Sequence, residues 1–360
     1  MMPGKVLVVG AGINGLATAW GLVRRGFAVE VFEQGPVPNP VSSSHDEHRV
    51  TRHGYGTMHR YARLMPEAFA AYDAMWADLG RSHFAPKPLI VFERGATDWI
   101  DASTADMDAM GIGWREVDLD RVAQLYPMLN TDGMTRCTEM DGAGVLFPVR
   151  ILTDLAVHLA RRGVVFHANT PVDAVDPEAG TVTVGATVHG GDHVVVAAGA
   201  WVARLVPGLA GTVVPSRQAV MFVAPPVELA AAWADAPVFF DLGEASGTYT
   251  LPPEPGTRLK IGDHVFTRRG DPDESRAGTD ADVERLIAAA SGTFRDFHRY
   301  VPLERKACFY TVTDDERFIA EPIGARGSVL SACSGHGFKL AALMGDKVAA
   351  GIAAGEPYRH

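Results

Sequence analysis

The spacing of apolar residues predicts a strand, a glycine turn, a helix and a second strand within the first 35 residues. The apolar run KVLVVG precedes GAGINGLATAWGLVRRG, whose apolar residues recur at helical spacing, and FAVEVFEQ follows. These three segments predict one βαβ unit. Further along, the continuous apolar run in DHVVVAAGAW is typical of a strand that is covered on both faces of a parallel sheet.

The remaining pattern changes character along the chain. Helical spacing spans residues 58–80, and PVRILTDLAVHLARRGVVFH reads as a helix followed by a strand. Short strands are predicted in TPVDAVD and TVTVG. Residues 213–311 are rich in β patterns, apart from one helix near 280–291, and the chain ends with a strand, a glycine loop and a long helix.

Segments typical of nucleotide binding therefore stand at the start, the middle and the end of the chain. We predict an α/β fold in which a discontinuous Rossmann-like domain carries an inserted α+β domain, built on a mostly antiparallel sheet. The Rossmann-like domain is predicted to comprise residues 1–80, 148–212 and 315–360, and the inserted domain residues 81–147 and 213–314.

Composition narrows the class of protein. The 360 residues are 47% hydrophobic and 21% charged, as in globular chains. The 33 Lys and Arg are scattered against 43 Asp and Glu, giving a net charge of -10, so we expect no nucleic acid partner. No apolar run reaches spanning length, and the three cysteines lack the spacing of a zinc site or a disulfide framework. We expect a monomer in the cytoplasm, without membrane or metal.

The first glycine turn has the fingerprint of a dinucleotide site. Gly10, Gly12 and Gly15 form G-x-G-x-x-G between strand and helix, and Glu33 closes the second strand, where its carboxylate can accept ribose hydroxyls. An ordinary glycine turn is the alternative. The motif does not separate NAD from FAD, but two later segments favour FAD: the adenine-edge candidate TPVDAVD, which contains Val172, and the strand and turn VVVAAGAW.

A second glycine motif precedes the last helix. In SGHGFK, Gly335 and Gly337 flank His336, so backbone N–H groups and the helix N-terminus point at one spot. Such a spot attracts negative charge and would stabilise the pyrimidine end of a reduced flavin. The alternative is a plain glycine-rich start of a helix.

Four segments resemble a known family. HDEHRVTRHGYG, LKIGDH, KACFYTVTDDERF and SGHGFKL follow the fingerprint in that order, and the chain resembles monomeric sarcosine oxidase, N-methyltryptophan oxidase and pipecolate oxidase over essentially its whole length. The resemblance implies FAD bound covalently through Cys308. Lys306 and Tyr310 share a strand face with Cys308, and a nearby cation is expected to lower the thiol pKa. A small buried hydrophobic residue is the alternative interpretation of Cys308.

The resemblance also implies roles on the substrate side. Arg52 and Lys339 would bind a substrate carboxylate, and Lys260 would activate oxygen; Tyr249 and Tyr310 would flank the substrate. His264, in the same LKIGDH motif as Lys260, would line the cavity, and His45 and Arg49 would lie near the flavin. Where the family has Gly-Asp-Thr, this chain has Asp46, Glu47 and His48.

The predicted reaction is oxidation of a secondary amino acid, N-methylated like sarcosine or cyclic. A hydride would pass from the carbon next to nitrogen to flavin N5, the imine product would be hydrolysed, and O2 would be reduced to H2O2. A dehydrogenase that passes electrons to a partner and a flavin-binding protein without turnover are the alternatives. Substrate preference is assigned to loops of the inserted domain, including Met221, Phe239 and Phe240.

Overall fold

The computed structural model describes residues 4–263, 265–331, 333–356 and 358–359. The strands, in chain order, are β1 (Lys5–Val9), β2 (Ala28–Phe32), β3 (Arg49–Thr51), β4 (Phe84–Pro86), β5 (Leu89–Glu93), β6 (Trp114–Glu116), β7 (Arg136–Met140), β8 (Gly144–Leu146), β9 (Val165–His167), β10 (Ala174–Asp176), β11 (Thr181–Val184), β12 (Thr187–Gly190), β13 (His193–Val196), β14 (Val214–Ala224), β15 (Val238–Asp241), β16 (Thr248–Leu251), β17 (Leu259–Asp263), β18 (Val301–Val312), β19 (Ile319–Gly324) and β20 (Gly327–Ser331). The α-helices are α1 (Ile13–Arg24), α2 (His59–Leu79), α3 (Trp99–Met110), α4 (Leu119–Leu125), α5 (Pro148–Arg161), α6 (Val202–Leu205), α7 (Ala230–Ala234), α8 (Asp280–Thr293) and α9 (Gly337–Ala354).

The first large sheet has the order β19-β20-β13-β1-β2-β9, and β1 pairs in parallel with both β2 and β13. All four residues of β13 are buried, as its continuous apolar run predicts. Helices α1, α5 and α9 cover one face, and the small sheet β10-β11-β12 contributes Val182 to the core on the other face.

Close contact between α1 and α9 aligns the two glycine motifs. A Cβ on Gly345 of α9 would lie 2.5 Å from the backbone carbon of Ala17 in α1, so only glycine permits this approach. A Cβ on Gly21 would lie 2.8 Å from that of Ala349. The N-termini of the two helices therefore open side by side at the edge of the parallel sheet.

The second large sheet has the order β18-β14-β17-β16-β15-β5-β7-β6 and is antiparallel apart from the β15–β5 pair. Helix α8 begins with a capping box between Thr279 and Asp282 and buries Leu286 against this sheet. The mostly antiparallel sheet and the parallel dinucleotide-type sheet confirm the predicted fold class.

A small sheet, β3-β8-β4, joins segments from both predicted domains. Strand β3 lies in the predicted Rossmann-like part, yet Val50 packs with Leu89, Val91 and Phe240 in the core of the second sheet. This strand brings Arg49 and Arg52 to that sheet. We keep the predicted domain boundaries as a proposal.

Local predictions and the structure differ in several places: α7 interrupts residues 213–311 in addition to the predicted helix near 280–291, and α4 was not predicted. Helix α3 lies in a stretch for which no helix was predicted, because its apolar residues follow no clear period. Met221, Phe239 and Phe240 were predicted in loops, but they lie in strands β14 and β15. Across the described residues, no helix combines the length and the apolar character needed to cross a bilayer.

Candidate active site

A cavity of about 330 Å³ lies where the parallel sheet meets β18. Its walls come from the β1–α1 turn, from segment 42–44, from residues 170–172 and from the start of α9. Phe309, Tyr310 and Thr311 of β18 close it from the side of the second sheet. The cavity is therefore built from remote parts of the chain.

Gly10, Gly12 and Gly15 of the first turn serve different structural purposes. Gly10 has φ +105° and its Cβ would lie 2.5 Å from the Ala197 carbonyl oxygen, while a Cβ on Gly15 would lie 1.9 Å from the Gly10 oxygen. Gly12 faces the cavity, and the first turn of α1 has neither a capping side chain nor an acidic residue. The Ile13 N–H donates to Ser44 Oγ at 3.0 Å. This open helix N-terminus suits a pyrophosphate.

Glu33 lies at the end of β2 and lines the same cavity. Its carboxylate accepts hydrogen bonds from Ala11 N–H at 2.8 Å, from Asn39 Nδ2 at 2.9 Å and from Gly35 N–H at 3.1 Å. These donors fix the carboxylate in one orientation beside the glycine turn. Val172, the predicted adenine-edge residue, also lines the cavity.

The start of α9 forms the other end of the cavity. Gly335, with φ +75°, and Gly337 line it, and α9 has no side-chain cap and no acidic residue in its first turn. His336 Nε2 lies 3.3 Å from Glu316 Oε2. The N–H groups of this 18-residue helix are therefore oriented to stabilise an anion.

A second, smaller cavity of about 100 Å³ adjoins the first. Arg49, Tyr310, Gly335 and Phe338 line both cavities. The second cavity is further lined by Val50, Arg52, Gln218, Phe240, Tyr249, Leu251, Lys260, Asp263, Phe266, Ser334, His336 and Lys339. A small molecule there would lie next to whatever occupies the end of the first cavity.

Two buried cations, Arg52 and Lys339, face the second cavity. They are 5% and 7% exposed, and within the described parts of the chain neither forms an ion pair with a carboxylate. Arg52 Nε and Nη1 have no hydrogen-bond partner. The Tyr55 ring lies 4.5 Å from Arg52 Cζ and 5.4 Å from Lys339 Nζ. Burial lowers the pKa of both cations, and Arg52 lowers that of Lys339 further. Because buried charges are costly unless they are paired, these two cations favour the binding of an anionic ligand.

Lys260, in contrast, has a carboxylate partner. Its side chain is fully buried, and Nζ donates to Asp46 Oδ2 at 2.5 Å and to the His48 carbonyl at 3.0 Å. Asp46 Oδ2 also lies 3.3 Å from Arg49 Nη2. Burial alone would raise the pKa of Asp46, but Lys260 and Arg49 hold it well below its usual range. Burial lowers the pKa of Lys260 to about 8, while Asp46 opposes that shift.

Aromatic rings form the rest of the second cavity's wall. Tyr310 Oη accepts a hydrogen bond from Arg49 Nη1 at 3.1 Å, and the Phe266 ring lies 6.4 Å from the Tyr310 ring. Tyr249 pairs with Gly262 across β16 and β17, and its ring lies over that glycine. Ring faces of this kind can lie against a substrate amine.

Cys308 is buried in β18 beside these charges. Burial raises the pKa of its thiol, and the opposing effects of Arg49 and Lys260 are smaller. Lys306 donates to the His45 carbonyl at 2.7 Å. The predicted lowering of the thiol pKa by a nearby cation comes from Arg49 and Lys260, but burial outweighs it and the net shift of the pKa is upward.

Comparison with known proteins decides the family. The family model described as DAO, FAD dependent oxidoreductase, matches residues 5–350. The chain belongs to this family. It is 26% identical over 369 residues to monomeric sarcosine oxidase of Bacillus sp. (strain NS-129), covering 96% of this chain and 91% of that protein. It is also 26% identical over 366 residues to N-methyl-L-tryptophan oxidase of Yersinia pestis (strain Pestoides F), covering 96% and 93%.

A solved structure agrees with this fold. The L-proline dehydrogenase of P. horikoshii superposes with a TM-score of 0.84 at 16% identity, covering 99% of this chain and 95% of that one. The predictions of the fold, of FAD as cofactor and of an oxidoreductase are thereby confirmed.

The residues of this FAD dependent oxidoreductase fit its cofactor. The open N-terminus of α1 with Gly12 suits the pyrophosphate, Glu33 suits the ribose, and the start of α9 suits the flavin end. The larger cavity connects these three places. The adjoining cavity, which Arg52 and Lys339 line, then lies at the flavin end.

The predicted site residues divide into three groups. Gly10, Gly12, Glu33, Arg49, Arg52, Val172, Tyr249, Lys260, Tyr310, Gly335, His336, Gly337 and Lys339 line one or both cavities. Gly15, His45 and Cys308 lie behind the walls: Gly15 supports the turn, and His45 binds Lys306. His264 lies outside the described residues. Their roles stay predictions.

Sequence reasoning missed three residues of the site: Gln218 lines the second cavity, the Tyr55 ring lies next to Arg52 and Lys339, and Asp46 pairs with Lys260. Tyr55, Asp46 and Gln218 carry no motif of their own, although Tyr55 stands in the quoted HRVTRHGYG segment. Asp46 was noted only as a departure from the family pattern. The ion pair with Lys260 joins positions 214 residues apart, which no local pattern reveals.

One group of metal-type ligands lies away from both cavities. Among the described residues, Glu30, His167 and His189 place ligand atoms within 4.8 Å of one another. Glu30 already pairs with Lys5 and with His167, each at 3.0 Å. The expectation that the protein uses no metal stays a prediction.

Proposed function

We propose that this chain is an FAD-dependent oxidase of secondary amino acids, either N-methylated like sarcosine or cyclic like proline and pipecolate. The observation that carries the proposal is the pair of buried cations, Arg52 and Lys339, without a carboxylate partner among the described residues. The names of the relatives, a sarcosine oxidase and an N-methyl-L-tryptophan oxidase, support the same substrate class.

A substrate carboxylate would relieve the electrostatic cost of this pair. An uncompensated buried charge costs several kcal/mol, roughly, and a guanidinium offers two parallel donors to a carboxylate. Among the described residues, Arg52 Nε and Nη1 lack hydrogen-bond partners, so the guanidinium has donors left for a carboxylate. Lys339 adds a point charge, with its Nζ 5.4 Å from the centre of the same Tyr55 ring.

The same charges select the protonation state of the substrate amine. Arg49, Arg52, Lys260 and Lys339 all line the cavity, so a substrate ammonium is disfavoured there and its proton leaves for solvent. The neutral amine keeps a lone pair and can lie against the rings of Tyr249 and Tyr310. Bound FAD would accept a hydride at N5 from the carbon next to nitrogen; water would hydrolyse the imine, and O2 would be reduced to H2O2.

We further propose that Cys308 bonds through sulfur to the 8α-methyl of FAD. The bond replaces an S–H and a C–H bond, so two electrons and two protons leave, and O2, the acceptor of the proposed oxidase reaction, takes them up as H2O2. The thiolate of Cys308 must form for this bond. Arg49 and Lys260 lower the thiol pKa and so favour the thiolate, whereas burial raises that pKa. We also propose a cytoplasmic monomer, which the sparse cysteines support for the compartment.

Lys260 is proposed to promote electron transfer to O2, because a fixed cation stabilises superoxide as it forms. A dehydrogenase that passes electrons to another acceptor is the second candidate. The ion pair between Asp46 and Lys260 favours this candidate, because it reduces the positive charge that faces O2.

An anaerobic titration tests the proposal. Purified protein is mixed with sarcosine, proline, pipecolate or N-methyl-L-tryptophan, and flavin absorbance is followed. We expect bleaching by at least one of them and, in air, one H2O2 per substrate oxidised.

Arg52→Gln should weaken substrate binding about 10- to 100-fold, as for loss of a charged hydrogen bond. Arg115 forms an ion pair with Glu139 at the surface, so Arg115→Gln is the matched control. No bleaching by any secondary amino acid would contradict the proposal.

A further inference from the structure

Asp46 is a buried carboxylate placed between two cations of the proposed active site. Its side chain is 4% exposed, and one oxygen contacts Lys260 Nζ at 2.5 Å and Arg49 Nη2 at 3.3 Å. The other oxygen accepts the Glu47 N–H at 2.8 Å. Both carboxylate oxygens are therefore occupied, and Asp46 is held in place.

The charge balance around Lys260 follows from these contacts. His48, whose backbone oxygen binds Lys260, has its pKa lowered by burial to about 3, so its ring is neutral. Lys260, Arg49 and Asp46 are then the ionised groups in direct contact, with one carboxylate for two cations. Without Asp46, two full positive charges would face the flavin end of the cavities.

Lys260 is also held in a fixed direction. Two of its three ammonium protons are directed to Asp46 and to the His48 carbonyl, while the side chain lines the second cavity. An anion that forms in this cavity must compete with a permanent carboxylate for the same ammonium. Since the carboxylate does not dissociate, the lysine stabilises a transient anion less than a free lysine would.

We propose that Asp46 is the counter-ion of Lys260 and that it slows electron transfer from reduced FAD to O2. The inference rests on the proposed function, in which FAD occupies the first cavity and Lys260 faces O2. The step is O2 + 2 e⁻ + 2 H⁺ → H2O2, with both electrons from reduced FAD and superoxide as its first anionic product. Asp46 is a positioning residue, since it acts through Lys260.

Reoxidation kinetics test the counter-ion. The holoenzyme is reduced by light and EDTA without amino acid, then mixed with O2 in a stopped-flow instrument; the result does not depend on which amino acid, if any, is oxidised. Asp46→Asn should raise the rate constant with O2 about tenfold, an effect of the size of one removed hydrogen-bonded charge. The rate with dichlorophenolindophenol serves as a reference, because structural damage would slow both acceptors.

A double variant shows whether Asp46 acts through Lys260. Lys260→Met should slow reoxidation by O2, and Lys260→Met combined with Asp46→Asn should be no faster than Lys260→Met alone. Glu47→Gln is the matched control, because Glu47 binds Arg258 outside both cavities and should change the rate less than twofold. Asp46→Gly replaces Asp46→Asn where the latter does not fold.

The midpoint potential of the bound flavin gives a readout besides turnover. Removal of a buried negative charge stabilises the reduced, anionic flavin, so Asp46→Asn should raise the potential. A higher flavin potential alone would slow the reaction with O2. If Asp46 is the counter-ion of Lys260, Asp46→Asn should instead react faster with O2 despite its higher potential. An unchanged or slower reaction with O2, or a double variant as fast as Asp46→Asn, would overturn the inference.

Discussion

Cys308 shows how neighbouring side chains decide the chemistry of one residue. The sulfur is buried, and burial raises its pKa, while Arg49 and Lys260 act in the opposite direction. Cys333 is also free and lines the larger cavity directly. The two cysteines therefore offer a controlled test of where a flavin becomes attached.

We predict that Cys308→Ser abolishes covalent flavin and that Cys333→Ser does not. The protein is precipitated with acid, and the pellet is examined for yellow colour and for the mass of FAD on the intact chain. Cys308→Ser should give a colourless pellet, because no thiolate remains beside Arg49. If Cys308→Ser gave a yellow pellet and Cys333→Ser a colourless one, the flavin would be attached to Cys333 and our proposal would be wrong.

Single residues also show what the sequence does not reveal. The family resemblance singled out Arg52 and Lys339, and the structure brings them to one cavity. Among the described residues they lack a carboxylate partner, whereas Lys260 has one, and this difference depends on contacts between distant segments. Local sequence patterns contain no information about such pairs, so Asp46 could only be noted as unusual.

At the scale of elements, regular periodicity decided which predictions were correct. Helix α5 buries Ile151, Leu155 and Leu159 at helical spacing and begins with a proline, so it could be predicted from its pattern. Helix α3 has weakly patterned positions and was missed. Strand membership of Phe239 and Phe240 was missed too, because a short apolar run lacks the alternation that separates strand from loop.

The pairing of β16 with β17 gives a prediction at this scale. Tyr249 lies opposite Gly262, and a Cβ on that glycine would lie 2.4 Å from Tyr249 Cζ. Gly262→Ala should therefore displace the Tyr249 ring and weaken substrate binding about tenfold, as expected for a shifted wall of a small cavity. Gly190→Ala in β12 is the control, since its Cβ would meet nothing within 4 Å. Equal Michaelis constants for both variants would argue against a role for Tyr249.

At the scale of the whole molecule, the site is assembled from contacts that are remote in sequence. The βαβ unit that carries Gly10, Gly12 and Glu33 is local, so its fold and its cofactor class could be predicted. The strand order of the second sheet could not, because β5 pairs with β15 across about 150 residues of chain. Long-range pairings of this kind follow from packing and not from local propensity.

The larger cavity predicts how FAD affects the molecule as a whole. Its walls include segment 42–44 and Asn39 on one side and β18 on the other, so bound FAD should hold these parts together. A thousandfold excess of FAD over its dissociation constant would stabilise the folded protein by about 4 kcal/mol. In the Cys308→Ser variant FAD can be removed. We expect its removal to lower the melting temperature of the protein and to speed thermolysin cleavage near Val41, which is 39% exposed. Cleavage near Val227, 90% exposed and outside the cavity, is the internal control and should keep its rate. If both sites are cut at the same rates with and without FAD, the segment that precedes β3 does not cover the cofactor.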